Sequence, residues 1–168
     1  MTIRAITFDL DNTLWETDQS IFRAEDTMRD ALIEVAPQWM TGYSFAALKT
    51  RRQAVASAHP DKAHDLGWTR REALRQWFES HGADPDAAEA HADLGFTVFY
   101  RERQKVEPYP GVEAMLAHLA IHYPLGAITN GNADLMTMPM GRHFQFSFRA
   151  HEFPAAKPAP DMFHAALS

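Results

Sequence analysis

Two carboxylates, Asp9 and Asp11, lie two residues apart in Phe8-Asp9-Leu10-Asp11-Asn12-Thr13-Leu14, directly after an apolar run of Ile3, Ala5, Ile6 and Phe8. Like charges this close are costly unless a cation or a developing charge uses them. An Asp-Asn turn with both acids solvated contains the same residues, so the pair alone does not decide. Two later segments add to it. Ile128-Thr129-Asn130-Gly131-Asn132 puts a hydroxyl and an amide in a tight turn, and hydroxyls and turn N–H groups are donors to phosphate. Lys157-Pro158-Ala159-Pro160 places a lysine ahead of a Pro-rich helix start, where it can act as a point charge toward an anion. Each segment also has a plainer reading on its own, an Asn-Gly turn and a solvated lysine.

The elements that must carry these residues follow from periodicity. The run ending at Phe8 suits a strand buried on both faces of a parallel sheet, and Leu125 to Ile128 suits a second. Ligands bind at the carboxyl ends of such strands. Between them the pattern is helical. Ile21, Met28, Leu32 and Val35 fall on one face, ended by Pro37. Ser44 caps a second helix with Phe45, Leu48 and Val55 inward. Thr69-Arg70-Arg71-Glu72 reads as a capping box opening a third, with Leu74, Trp77 and Phe78 inward and Gly82 as its stop. Asp84-Pro85 opens a fourth, carrying Ala88, Ala92, Phe96 and Phe99. After Pro108-Tyr109-Pro110-Gly111 a further helix carries Val112, Met115, Leu116 and Leu119.

Composition bounds the function. With 168 residues, 46% of them hydrophobic, the chain can bury a core. A net charge of -6 supplies no basic footprint for nucleic acid, although a local site in an acidic protein can still take a phosphate. The absence of cysteine excludes disulfides, thiol nucleophiles and thiolate metal sites. No charged leader precedes a long apolar stretch, and no segment is apolar enough to span a membrane, so the expectation is a cytoplasmic protein without membrane partners. His118 and His122, four apart, read as surface residues, as do His59 and His64. Met136, Met138 and Met140 read as core filler, Trp68 and Trp77 as core of the helical segment, and Arg70 and Arg71 as a solvated face.

The three segments together resemble the motifs of haloacid dehalogenase-like hydrolases of the phosphatase type, in the family's order and over the whole chain. Asp9 and Asp11 match the first motif, Thr129 the second and Lys157 the third. The stretch Ala127 to Ala133 is similar to riboflavin-pathway phosphatases that act on FMN or on 5-amino-6-(5-phosphoribitylamino)uracil. The resemblance implies an α/β fold, a Rossmann-like parallel-sheet core formed by residues 1–16 and 107–168, with a helical cap inserted at 17–106. It implies Asp9 as nucleophile and Asp11 as acid and base. It further implies Mg2+ on Asp9 and Asp11, and Asn12, Thr129, Asn130 and Lys157 around the phosphoryl group. The substrate class is a small phosphorylated metabolite: FMN or a riboflavin precursor, a nucleotide or a sugar phosphate. One departure stands out. The family's fourth motif, an acidic pair after a further strand, has no counterpart after Lys157. The expectation is therefore a core lacking its C-terminal strands, with the Asp9 strand as an open edge through which chains can form a homo-oligomer. A catalytically impaired fragment with a binding role is the alternative function.

Overall fold

Leu-Gly-Ala-Ile-Thr is a short run with no charge, and in the computed structural model, which describes residues 2–167, it forms a strand buried at every position. This strand, β2 (Leu125–Thr129), lies between β1 (Ile6–Phe8) and β3 (Phe146–Arg149) in a three-stranded sheet, and both pairings are parallel. Ile6 faces Leu125 and Phe8 faces Ala127 on one side, while Gly126 faces Phe146 and Thr129 faces Arg149 on the other. The Rossmann-like α/β architecture expected from the sequence is present. β1 is shorter and more exposed than its composition suggested: Ile3 is 62% exposed and Thr7 points to solvent. It is an outer strand here, so only β2 has both edges and both faces covered.

By contact the chain divides into two units, Met1–Ser20 with Gln104–Ser168, and Ile21–Arg103. In the first, one face of the sheet packs Leu125 and Ala127 against Leu10, Leu14, Trp15, Val112 and Leu116. The last two come from α5 (Val112–Ala120), entered through the left-handed Gly111. Met115, expected inward, is exposed, because Val112 and Leu116 already define the buried stripe. The opposite face carries Ile128 against Ala150 and Met162, the latter from α6 (Asp161–Leu167). Met138 and Met140 are core, whereas Met136 is exposed. Gly126 has a steric reason. A Cβ there would stand 2.1 Å from the Phe146 ring, which lies across that position and stacks on Phe148. The preference of the sequence for Gly at the centre of a strand is otherwise unfavourable.

The second unit is helical. It comprises most of α1 (Thr17–Val35), then α2 (Phe45–Ala58), α3 (Leu66–Ser80) and α4 (Pro85–Arg103). Ser44 caps α2 by accepting from the Ala47 N–H at 3.1 Å, and Asp84 does the same for α4 through Ala87 at 2.9 Å. α3 begins four residues before the expected box: Asp65 is the cap, accepting from the Trp68 N–H, and Thr69 is buried inside the helix with its hydroxyl on the Leu66 carbonyl. Met28, Leu32, Leu48, Leu74, Phe78 and Phe99 are fully buried together, while Val35 is half exposed because Ala36 takes the inward place. His59, His118 and His122 are exposed and His64 is half-buried. Trp77 is buried and Trp68 partly so.

Arg70 overturns the expectation of a solvated face. It is 2% exposed, ion-pairs with the equally buried Glu25 and lies over the Phe99 ring at 3.4 Å. Arg71, one step round the helix, does face outward and pairs with Glu89 and Asp93. No helix among the described residues is long and apolar enough to cross a membrane.

Two substitutions probe these packings. Gly126→Ala must displace Phe146 and is expected to cost about 1–3 kcal/mol, read as a lower urea midpoint at unchanged slope. Glu25→Ala strands the Arg70 charge in the helical core and is expected to cost about 3–5 kcal/mol by the same measurement.

Candidate active site

Asp9 leaves β1 at its carboxyl end, and the chain turns sharply at once. Leu10 is buried, so its carbonyl anchors the turn: it accepts from the N–H groups of Thr13 and Leu14 at 3.1 and 2.9 Å. Asn12 takes a left-handed φ of 58°, a conformation Asn tolerates better than most residues. Its N–H donates to the Trp15 carbonyl at 2.9 Å, and its side-chain oxygen accepts from the Thr17 N–H at 3.0 Å, where α1 starts. Both groups therefore build the turn that presents the acids. Trp15, fully buried, donates its indole N–H to Asp11 Oδ1 at 3.0 Å.

The second and third segments meet this turn. Lys157 Nζ stands 3.0 Å from Asp9 Oδ1 and donates to the Ile128 carbonyl at 2.6 Å. Its backbone is clamped by Asn130, whose Nδ2 donates to the Lys157 carbonyl at 3.0 Å and whose Oδ1 accepts from the Lys157 N–H at 2.8 Å. Asn130 thus fixes the lysine. Thr129 is buried at the end of β2, and its Oγ1 accepts from the Gly131 N–H at 2.9 Å, which leaves the hydroxyl proton to donate elsewhere. Gly131 is required by proximity: a Cβ there would lie 2.3 Å from Asp11 Oδ2 and 3.2 Å from Thr129 Oγ1. Asp9, Asp11, Thr129, Asn130 and Lys157 are accordingly one constellation at the carboxyl ends of β1 and β2.

Trp15 and Gly131 were not singled out by the sequence. Trp15 carries no spacing signal, and Gly131 reads as an ordinary turn residue. Arg149, at the end of β3 beside Thr129, was missed as well. It pairs with Asp134 at 3.2 Å and with Glu152 at 2.6 Å. Burial pushes the Glu152 carboxyl up, but the Arg149 hydrogen bonds outweigh it and hold the acid below its ordinary range. Arg149 is therefore committed to its own acids.

Among the described residues no group of three or more His, Cys, Asp or Glu side chains forms a metal cage. The donors that the resemblance implies are hard oxygens, the Asp9 carboxylate and the Asp11 main-chain carbonyl. Magnesium keeps several waters and binds through one or two carboxylates, and Asp9 is 45% exposed, so a hydrated ion can reach it. The donor set fits Mg2+.

Comparison with known proteins bears on the fold and the family. The sequence pattern of the family described as hydrolase, haloacid dehalogenase-like hydrolase, matches residues 3–168. The 5-amino-6-(5-phospho-D-ribitylamino)uracil phosphatase YigB of Escherichia coli K12 is 34% identical over 166 residues, 98% of this chain and 68% of that protein. The phosphoserine phosphatase of Thermus thermophilus is 29% identical, over 98% of this chain and 75% of its own. The crystal structure of a protein named 2-haloacid dehalogenase, from Pseudomonas syringae pv. Tomato DC3000, superposes with a TM-score of 0.91 at 37% identity, covering 99% of this chain and 72% of that one.

Gly131→Ala tests the packing of Asp11. The new methyl must push the carboxylate aside, and a displacement of this kind is expected to lower kcat about a hundred-fold while the urea midpoint stays near that of the parent. Unchanged turnover would mean that Asp11 need not sit against Gly131.

Proposed function

Because the chain belongs to the haloacid dehalogenase-like hydrolase family, we propose that it is a phosphatase in which Asp9 forms an aspartyl-phosphate. The observation that carries this reading is the Asp9–Lys157 ion pair, with a half-exposed carboxylate at the mouth of the site and Asp11 held beside it. Asp9 attacks phosphorus, and the bond from phosphorus to the ester oxygen breaks. Asp11 gives its proton to that leaving oxygen, then accepts one from the water that opens the acyl phosphate, so each carboxylate ends as it began. Lys157 and the Thr129 hydroxyl hold the phosphoryl oxygens as charge builds on them. Asn12 and Asn130 act one step back, through the turn and through the lysine. The Asp9 carboxylate and the Asp11 carbonyl would hold Mg2+, whose positive charge would let an anionic nucleophile approach an anionic substrate.

The substrate is a small phosphorylated metabolite. FMN and riboflavin precursors head the panel because of the relative named for such a substrate, ahead of nucleotides and sugar phosphates. The helical unit serves as the selecting cap, and the enzyme works in the cytoplasm. Dehalogenation, suggested by the name of the structural relative, uses a halide leaving group that needs no proton, so it gives Asp11 nothing to do.

Phosphate release from FMN and the other panel members is expected with Mg2+ and not with chelator. Asp9→Asn is expected to lower it at least a thousand-fold, on the order seen when a nucleophile is removed elsewhere. Chloride release from 2-chloropropionate is expected to be absent. Release of phosphate that survives the loss of Asp9, or chloride release in its place, would overturn the reading.

A further inference from the structure

The helical unit contains a second concentration of positive charge. Arg52 on α2 lines a cavity of about 280 Å3 with Phe45, Lys49, Ala56, Leu66 and Thr69, all from α2, α3 and their connection. Its Nε is fully buried and makes no hydrogen bond. The nearby Glu25 spends one carboxylate oxygen on Arg70 and acts on Arg52 through its charge, without a hydrogen bond to it. Burial lowers the Arg52 guanidinium to about 10, and the like charge of Arg70 adds to the effect, with Glu25 and Tyr43 opposing. Lys49, on the same wall one helical turn earlier, is exposed and contributes a second positive charge. The remaining wall is mostly apolar, an aromatic ring, a leucine and two alanines, with Gln53 and Thr69 as its polar groups.

A buried guanidinium N–H without an acceptor is costly unless something completes it. Chains retain such costs where a ligand offsets them, and binding sites combine an apolar lining with a few placed polar groups. A volume near the lower end of ligand pockets, about 300 Å3 upward, suits a compact molecule. We propose that the cleft between α2 and α3 binds a small organic anion, its phosphate, phosphonate or carboxylate group on Arg52 and Lys49 and its apolar part against Phe45 and Leu66. The planar guanidinium forks onto such a group, while the lysine supplies a point charge. The site is built wholly from the helical unit and does not depend on the chemistry assigned to Asp9.

Phenylphosphonate, which cannot be hydrolysed, is the probe. Titrated into the full chain carrying Asp9→Asn and followed by amide NMR, it is expected to shift α2 and α3 signals in a saturable way. Arg52→Gln is expected to weaken that binding at least ten-fold and Lys49→Gln several-fold. Thr129→Ala, in the other unit, is expected to leave it unchanged. Arg52→Met adds a reading that needs no ligand: removing the desolvated group and its unpaired N–H is expected to raise Tm by about 2–4 °C. Shifts of equal strength in Arg52→Gln would overturn the proposal. So would an absence of shifts in α2 and α3, which would mean that water alone completes Arg52. KM and kcat for the phosphatase substrate are expected to stay unchanged in Arg52→Gln, and a raised KM would overturn the assignment of a site separate from that of Asp9.

Discussion

The complete burial of β2 is the constraint from which the rest of the core follows. Five consecutive residues without contact with water leave ten backbone polar groups that must pair within the protein. Parallel partners on both edges meet most of that demand, which places β1 and β3 and leaves the strand ends level at one rim of the sheet. The Ile128 carbonyl, near the end of the ladder, accepts from Lys157. The lysine is thus held by a backbone group that the sheet has already fixed, and it reaches Asp9 from there. The ion pair at the site is a consequence of how a buried strand closes its hydrogen bonds.

The chemistry-bearing residues were legible because their types are unusual at strand ends: an acid pair, a hydroxyl in a Gly turn, a lysine before proline. The helices were legible from their stripes and from Ser44, Asp84 and Gly82. What failed has physical causes. Thr69 and Glu72 satisfied the spacing of a capping box, but Asp65 offered a stronger cap one turn earlier, and Thr69 was then needed inside. Arg70 could not be read as buried, since its partner Glu25 lies 45 residues away and no local pattern links them. Ile3 carries the hydrophobicity of a core strand but sits before the first pair of an outer one. The engagement of Asn12 and Asn130 in the turn and the lysine clamp depends on side-chain direction, which spacing does not encode.

The comparison also separates fold from chemistry. The backbone shared with the protein named 2-haloacid dehalogenase is close over nearly the whole chain, and the relative named 5-amino-6-(5-phospho-D-ribitylamino)uracil phosphatase is of similar identity. Under the function proposed above, discrimination between the two chemistries rests on Asp11 and its surroundings, since an alkoxide leaving group takes a proton and a chloride does not. Trp15 and Gly131 are what keep that carboxylate in place, one by an indole hydrogen bond and the other by having no side chain.

The Asn130 clamp has a topological consequence. Its two hydrogen bonds fasten residues 27 positions apart, so the intervening chain is a loop whose ends are tied irrespective of its contents. Closure entropy grows only with the logarithm of loop length, about 0.6 kcal/mol for each doubling. Residues can therefore be inserted between Gly131 and Ala156 at the exposed positions Met136, Thr137, Pro139 and Arg142, between the buried Leu135, Met138 and Met140, without carrying the lysine away from the aspartate. The pair of Lys157 and Asp9 is mechanically insulated from changes at those positions.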